Sequence, residues 1–476
     1  MVLVPTFGDN PITDAGHDWL GRTAICAVLT DLLHRESLDL PLTIGVYGDW
    51  GSGKTSILQL VRAQLHSQEL GIWFNAWAYA QQQDALWRAL LLTIIACFRN
   101  PAFQDQLLNQ RTLEALLADT QLDAPTLRKK LNEQLTRLET SLYRSKVYRQ
   151  HEGFELNMQT ATLLAVRAAL RMVPAVGSEL AKTLENALAE GQDVKDLFSL
   201  LNVREREELR EHVQSIEQFK AEFQQLIHRF VTTTGRRLVI FIDDLDRCLP
   251  EQAISVLESI KIFFDSIDGS PLNCIFVLGM DRRVVEEGMR IRYGVSGEAT
   301  VNARSYLDKI IQIPFSIPPL SREQIEHFAA RWCATHQPAL SHCTALIATG
   351  VAANPRSVKR TLNILALLHD LRKVAQQDIS PDTLSILTKV VVIQTSYDDV
   401  YHQIAQNADL LRHLELASHA AAGTSYAEVT SNILQRYPRL SEMLRLMPRL
   451  PSNPEKARHL IDDLLYGLLT QSFTTA

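Results

Sequence analysis

The densest chemistry in the chain lies in eight consecutive residues, Gly48-Asp49-Trp50-Gly51-Ser52-Gly53-Lys54-Thr55. They satisfy G-x-x-x-x-G-K-[ST] at every fixed position. Glycine at positions 48, 51 and 53 lets a backbone curl around an anion without Cβ clashes. The N–H groups of such a loop, with the N-terminus of a following helix, then point at that anion. Lys54 is placed to reach the β- and γ-phosphates of a nucleoside triphosphate, and the Thr55 hydroxyl to hold Mg²⁺. With Ser56 the expected binding segment is Gly48 to Ser56. A second cluster, Asp243-Asp244-Leu245-Asp246-Arg247, puts three carboxylates in four residues. Taken alone it reads equally well as a solvated turn. Downstream of a phosphate loop, Asp243 becomes the expected second Mg²⁺ partner, and Asp244 the group that orients or deprotonates an attacking water.

Both clusters need elements to position them. Leu42 to Tyr47 (LTIGVY) is a short apolar run with β-branched residues, a buried strand ending where the loop begins. Thr55 to Leu65 then repeats its apolar positions as a helix. Ile72 to Ala76, Leu238 to Ile242 (LVIFI), Cys274 to Leu278 (CIFVL) and Ile310 to Phe315 are further strands, with helices expected over about 84–98 and 251–264. Strands alternating with helices imply a parallel sheet. From about residue 100 to 230 strand signals vanish. Leu127, Leu131, Leu135, Leu138 and Leu142, and later Leu209, Val213, Ile216, Phe219, Phe223 and Leu226, mark amphipathic helices of an ordinary helical subdomain. Beyond Pro318-Pro319 everything reads as helix. The expected partition is 1–99 and 231–318 as two parts of one core, 100–230 as a helical insertion, and 319–476 as a helical lid and C-terminal region.

Composition narrows the class. The chain has 476 residues, 46% hydrophobic and 21% charged, which excludes a disordered or collagen-like polymer. Its formal charge of -6 gives no global drive toward nucleic acid. The basic clusters at Arg128 to Lys130, Arg204 to Arg210 and Lys359-Arg360 lack interleaved aromatics, so nucleic acid is not an expected partner. Six scattered cysteines without a C-x-x-C pair fit buried thiols in a reducing cytoplasm, and the histidines show no metal-ligand spacing. The N-terminal residues lack the basic and apolar regions of a secretory leader. Ala161 to Ala181 is long enough to span a bilayer but carries Arg167, Arg171 and Glu179. Two central arginines cost about 2.5 to 3.5 kcal/mol each against about 0.5 gained per large aliphatic, so burial inside the protein is expected instead.

The motifs together resemble one family, the KAP P-loop NTPases. GDWGSGKTS at Gly48 to Ser56, Phe74-Asn75-Ala76-Trp77 after the second strand, and DDLDRC at Asp243 to Cys248 match its landmarks. So do Asp9 to Ile12, Leu20-Gly21-Arg22, Tyr306 to Gln312, and Asn354 to Asn363 with its N-P-R-S-V-K-R-T-L-N run. The resemblance runs from about residue 9 to 400. It implies an α/β fold, a parallel P-loop NTPase sheet of the additional-strand ATPase type with a long helical insertion and a helical C-terminal lid. It also implies ATP with Mg²⁺, and a switch role in antiphage defence or signalling scaffolds, through a protein partner or self-association. Many members carry transmembrane hairpins between the phosphate loop and the acidic strand; here that interval holds the helical insertion, and no membrane partner is expected. In related ATPases an arginine of the lid reads the γ-phosphate. Arg356 or Arg360 fits that role or simply a charged helix face. Arg247 is expected to pair with Asp244 or Asp246 or to sense phosphate, Asp281 is a candidate polar sensor, and Trp50 is open between nucleotide stacking and packing on the lid. Trp77 is expected to be structural, with Asn75 left open.

Overall fold

The computed structural model of the chain describes residues 7–80, 86–108, 123–143, 218–264, 271–293, 303–374, 379–419 and 428–472. The expected helical positions Leu209, Val213 and Ile216 and the segment Ala161 to Ala181 lie outside the described residues. So does the expected start of the helix near residue 84.

Among the described residues five strands form one sheet: β1 (Leu42–Tyr47), β2 (Glu69–Asn75), β3 (Arg237–Asp243), β4 (Cys274–Met280) and β5 (Ile313–Ser316). Their order is β2-β3-β4-β1-β5 and every neighbouring pair is parallel. Parallel strands are covered on both faces and so need apolar residues at successive positions. Every residue of β1 and β4 is buried, as is β3 from Leu238 onward. β4 stands between the strand that feeds the loop, β1, and the acidic strand, β3. That inserted strand is the additional-strand arrangement, and the α/β P-loop NTPase fold class holds.

The fifth strand begins three residues later than its apolar run suggests. Ile310 closes a helix, the Ile311 N–H still bonds the Leu307 carbonyl at 2.8 Å, and both isoleucines are buried in the core. The apolar stretch therefore serves a helix end first and the strand second. β5 is a half-buried edge, which is where Pro314 is tolerated.

By contacts the chain divides into two compact units. One comprises residues 25–49 and 54–317 and contains the sheet. Among the described residues its helices are α1 (Thr23–His34, all but its first two residues), α2 (Lys54–Ala63), α3 (Leu86–Arg99), α4 (Pro101–Leu107), α5 (Ala124–Tyr143), α6 (Pro250–Phe263), α7 (Arg282–Tyr293) and α8 (Ala303–Ile310). Leu127, Leu131, Leu135 and Leu138 of α5 are fully buried in the same core as α3 and β2, so this face packs inward rather than forming a free coiled coil.

The other unit comprises residues 1–24, 50–53 and 318–476. It is helical: α9 (Arg322–His336), α10 (Thr344–Gly350), α11 (Pro355–Val374), α12 (Pro381–Ser396), α13 (Asp398–Gln406), α14 (Asp409–His419), α15 (Glu428–Arg436), α16 (Pro438–Leu444) and α17 (Pro454–Ser472). Phe7 stacks on Phe328 at 5.2 Å and lies near Trp332, while its N–H bonds Asn363 Oδ1 at 2.8 Å. The N-terminal segment is thereby fastened to α9 and α11. Among the described residues no single helix is long and apolar enough to cross a membrane. α3 and α4 would suffice only together, and they are bent by 77°.

Candidate functional site

The loop forms because β1 ends at Tyr47 and α2 opens at Lys54, leaving six residues to turn. Gly51 and Gly53 have φ of 84° and 96°, a region that side chains other than glycine rarely adopt. A Cβ at Gly53 would meet nothing within 4 Å, so the loop is open on that side. Gly48 N–H bonds Met280 O at 3.3 Å, tying the loop's first residue to the end of β4. The Ser52 hydroxyl is buried without a hydrogen-bond partner. Asp49 is exposed and pairs with Arg283 of α7.

Lys54 is buried, and its Nζ donates to the carbonyls of Gly48 (2.8 Å) and Asp49 (3.3 Å). It also lies 3.3 Å from Asp246 Oδ2. Nothing in the spacing signals this pairing. A carboxylate brought in from β3's end occupies the amine that the motif reserves for phosphate.

Asp243 closes β3 and is completely buried. Neither of its carboxylate oxygens makes a hydrogen bond of full geometry. Burial pushes its carboxyl up to about 6; the nearby Thr55 hydroxyl counts against that rise, Asp244 adds to it, and the Lys54 ammonium opposes it. The space around it exists because β4 has no side chain there: a Cβ on Gly279 would lie 2.7 Å from Asp243 Oδ1. The Asp243 carboxylate and the adjacent Thr55 hydroxyl form an oxygen donor set, the kind Mg²⁺ takes, with room beside them where Gly279 has no side chain. The residues present fit that ion.

Asp244 sits in the left-handed region, with φ of 60° and ψ of 28°. Aspartate tolerates this better than most residues, and such strain concentrates where a side chain must be aimed. Its Oδ1 is 3.0 Å from Arg247 Nε and its Oδ2 accepts from Asn75 Nδ2 at 3.1 Å. Arg247 in turn lies over the Trp77 ring, 5.2 Å from its centroid. The pairing reading of Arg247 is thus the one the geometry shows, and Asn75, which sequence reasoning left open, fixes the other oxygen. β2 and β3 place Asn75 directly opposite Asp243.

Asp281 follows β4 and is buried; its Oδ1 accepts the Arg283 N–H at 3.0 Å, starting α7. Arg360 is exposed on α11. Arg356, in the first turn of α11, holds the tip of the loop. Its guanidinium lies 4.7 Å from the Trp50 ring centroid, and its Nε is 3.1 Å from Asp9 Oδ2. Asn354 Nδ2 donates to Trp50 O at 2.7 Å and its Oδ1 accepts the Arg356 N–H at 2.9 Å. A Cβ on Gly51 would lie 2.7 Å from Arg356 Cβ, so glycine is required there for packing as well as for conformation. Trp50 itself is 66% exposed, with one face against Arg356.

The family model for the KAP family P-loop domain matches residues 22–372. A comparison with curated proteins finds no match. Among solved structures, the chain is similar to the ORC2 protein of Aeropyrum pernix in its ADPNP–ADP complexes, at 12% identity and a TM-score of 0.33, covering 98% of this chain and 97% of that one. It is also similar to the Walker-type ATPase PABY2304 of Pyrococcus abyssi, at 11% identity and a TM-score of 0.34, covering 92% and 99%. The family match spans most of the chain and includes the loop, the acidic strand and the strand between them. The chain belongs to the KAP family of nucleotide-binding P-loop NTPases.

Proposed function

We propose that the chain is a Mg²⁺-dependent ATPase acting as a nucleotide-driven molecular switch, in a role of the kind the resemblance implies, bacterial antiphage defence or stress signalling. The observation that carries this reading is Asp243. A buried carboxylate with neither oxygen in a hydrogen bond of full geometry is costly unless something charged completes it. Thr55 and Asp243 would hold Mg²⁺, which when bound neutralises charge on the β- and γ-phosphates.

The remaining chemistry belongs to side chains of this protein. The loop from Gly48 to Ser56 cradles the phosphates through its N–H groups, and Lys54 exchanges Asp246 for them. Asp244 positions the attacking water and takes its proton as the γ-phosphoryl group leaves ADP. Asn75 and Arg247 hold the Asp244 carboxylate in one orientation, so geometry need not be found anew at each turnover. Asn354 and Arg356 grip Trp50 and Gly51, so a loop that rearranges on filling is felt at the start of α11. That link supports a switch rather than a simple hydrolase. Measuring molecular mass by size exclusion without nucleotide, with ADP and with ATP tests it. A nucleotide-dependent change of assembly is expected, and one unchanged mass in all three states contradicts the self-association form of the switch.

A second reading is an ATP-binding scaffold with little hydrolysis, whose helical insertion recruits protein partners. It is favoured by the engagement of both Asp244 oxygens, which leaves the base already satisfied. Phosphate release by wild type and Asp244→Asn separates the two. The enzyme reading expects turnover that falls about 1,000-fold in the variant. No turnover in wild type, with ATP still raising its melting temperature, favours the scaffold.

A further inference from the structure

At the other end of the sheet, three side chains meet that neither motif nor mechanism uses. His34 is the last residue of α1, His66 lies in the turn between α2 and β2, and Glu69 is the first residue of β2. The two imidazole rings are stacked with centroids 3.5 Å apart and planes 17° from parallel. His34 Nε2 lies 3.5 Å from Glu69 Oε2. One ligand atom from each of the three residues can be chosen so that all lie within 4.8 Å of one another, the one such group among the described residues.

We propose that His34, His66 and Glu69 form a binding site for a transition-metal dication, Zn²⁺ being the natural occupant. Two imidazole nitrogens and one carboxylate are the three-ligand set that zinc takes while keeping a fourth position open. Tetrahedral bonds of about 2.0 to 2.1 Å set two ligand atoms about 3.4 Å apart, close to the 3.5 Å between His34 Nε2 and Glu69 Oε2. The Glu69 carboxylate is buried and already aimed, because its Oε2 accepts the His66 backbone N–H at 2.9 Å. His34 Nε2 is buried and makes no hydrogen bond, an atom short of a partner. His66 is exposed and supplies the entry side. Nearly parallel rings cannot both aim in-plane at one ion, so His66 must rotate on binding, and its exposure leaves it room to do so.

A plain His34–Glu69 ion pair is the competing account. It explains the 3.5 Å contact but gives no reason for a second imidazole stacked on the first. Arg237 stands opposite Glu69 across the β2–β3 ladder, yet one of its nitrogens is committed to the Leu33 carbonyl at 2.9 Å. The site lies six residues along β2 from Asn75, about 20 Å at the rise of a strand, so it is separate from the phosphate loop. It would fasten the end of α1 to the start of β2 and to the turn that follows α2, the helix that begins at Lys54. Its expected effect is therefore on stability, not on the reacting groups.

The test uses the full chain, cleared of metal by a chelator and titrated with Zn²⁺ and with Co²⁺ as a coloured probe. Wild type should bind one equivalent, show the visible absorption of tetrahedral Co²⁺, and gain melting temperature that the chelator reverses. Excess Mg²⁺ should not compete, since it favours oxygen-rich octahedral sites. His66→Ala, at an exposed position that the fold does not need, and Glu69→Gln should each bind at least about tenfold more weakly. Asp243→Asn should bind zinc as wild type does. The proposal is overturned by wild type that takes up no metal, by His66→Ala binding with undiminished affinity, or by loss of binding in Asp243→Asn, which would place the ion at the phosphate loop.

Discussion

Lys389 in the helical unit and Asp243 in the sheet unit are both buried charges, and their surroundings treat them in opposite ways. In the helical unit, Lys389 of α12 is 1% exposed, and its Nζ reaches Glu415 Oε1 (2.8 Å) and the carbonyls of Pro448 (2.8 Å) and Leu444 (3.3 Å). Glu415 Oε2 accepts the Leu450 N–H at 2.8 Å. Burial lowers the Lys389 pKa, and its bond to Glu415 works against that lowering. Every polar atom has an internal partner, which is how a buried ion pair persists in a fold. In the sheet unit, Asp243 is just as deeply buried, and only the Thr55 hydroxyl and the Asp244 N–H approach its oxygens, neither in full hydrogen-bond geometry. Its shift from 3.8 to about 6 corresponds to a cost on the order of 3 kcal/mol for carrying the charge at neutral pH. The first arrangement is complete without a ligand and the second is not. On the function proposed above, the difference separates structural charge from charge kept for binding.

Substitutions can break the comparison, and the largest effect belongs to the satisfied pair. Glu415→Ala strands the Lys389 ammonium and should cost about 3 to 5 kcal/mol in urea unfolding, with nucleotide affinity retained in the protein that folds. Asn75→Ala frees one oxygen of Asp244; kcat should fall about 10- to 100-fold with little change in KM or stability, because the carboxylate loses its aim and not its charge. Gly279→Ala drives a methyl toward Asp243 Oδ1 and Leu58. It should lose about 1 to 3 kcal/mol of stability and weaken the effect of Mg²⁺ on nucleotide binding. Asp243→Asn removes the uncompensated charge, so ligand-free stability should stay within about 1 kcal/mol of wild type or rise. Equal losses from Glu415→Ala and Asp243→Asn would erase the distinction.

Much of this architecture is legible in the residues because a parallel sheet writes its strands as unbroken apolar runs. LTIGVY, LVIFI and CIFVL each fall in a buried strand, with carboxylates or glycines at the ends that matter. The phosphate loop is equally plain, since its spacing is the mechanism. Strand order is not, because no local spacing records which strand lies next to which; the inserted β4 was expected only from resemblance. Contacts that depend on that order were hidden with it. Asp246 reaching Lys54, Asn75 reaching Asp244 and the empty side of Gly279 facing Asp243 all join residues more than 30 positions apart in sequence. The three residues at the far end of the sheet were missed for the same reason, since His34 and His66 have no helical spacing between them. The late start of β5 shows the opposite failure, an apolar run shared between a helix end and a strand.

The central claim is that Asp243 is left unpaired to complete a nucleotide-bound dication. The direct test is the ATP-induced rise in melting temperature, with and without Mg²⁺, in wild type and in Asp243→Asn. Wild type should show a larger rise when Mg²⁺ is present, while Asp243→Asn keeps the Mg²⁺-free rise and loses the increment. An identical Mg²⁺ increment in both proteins would contradict the account.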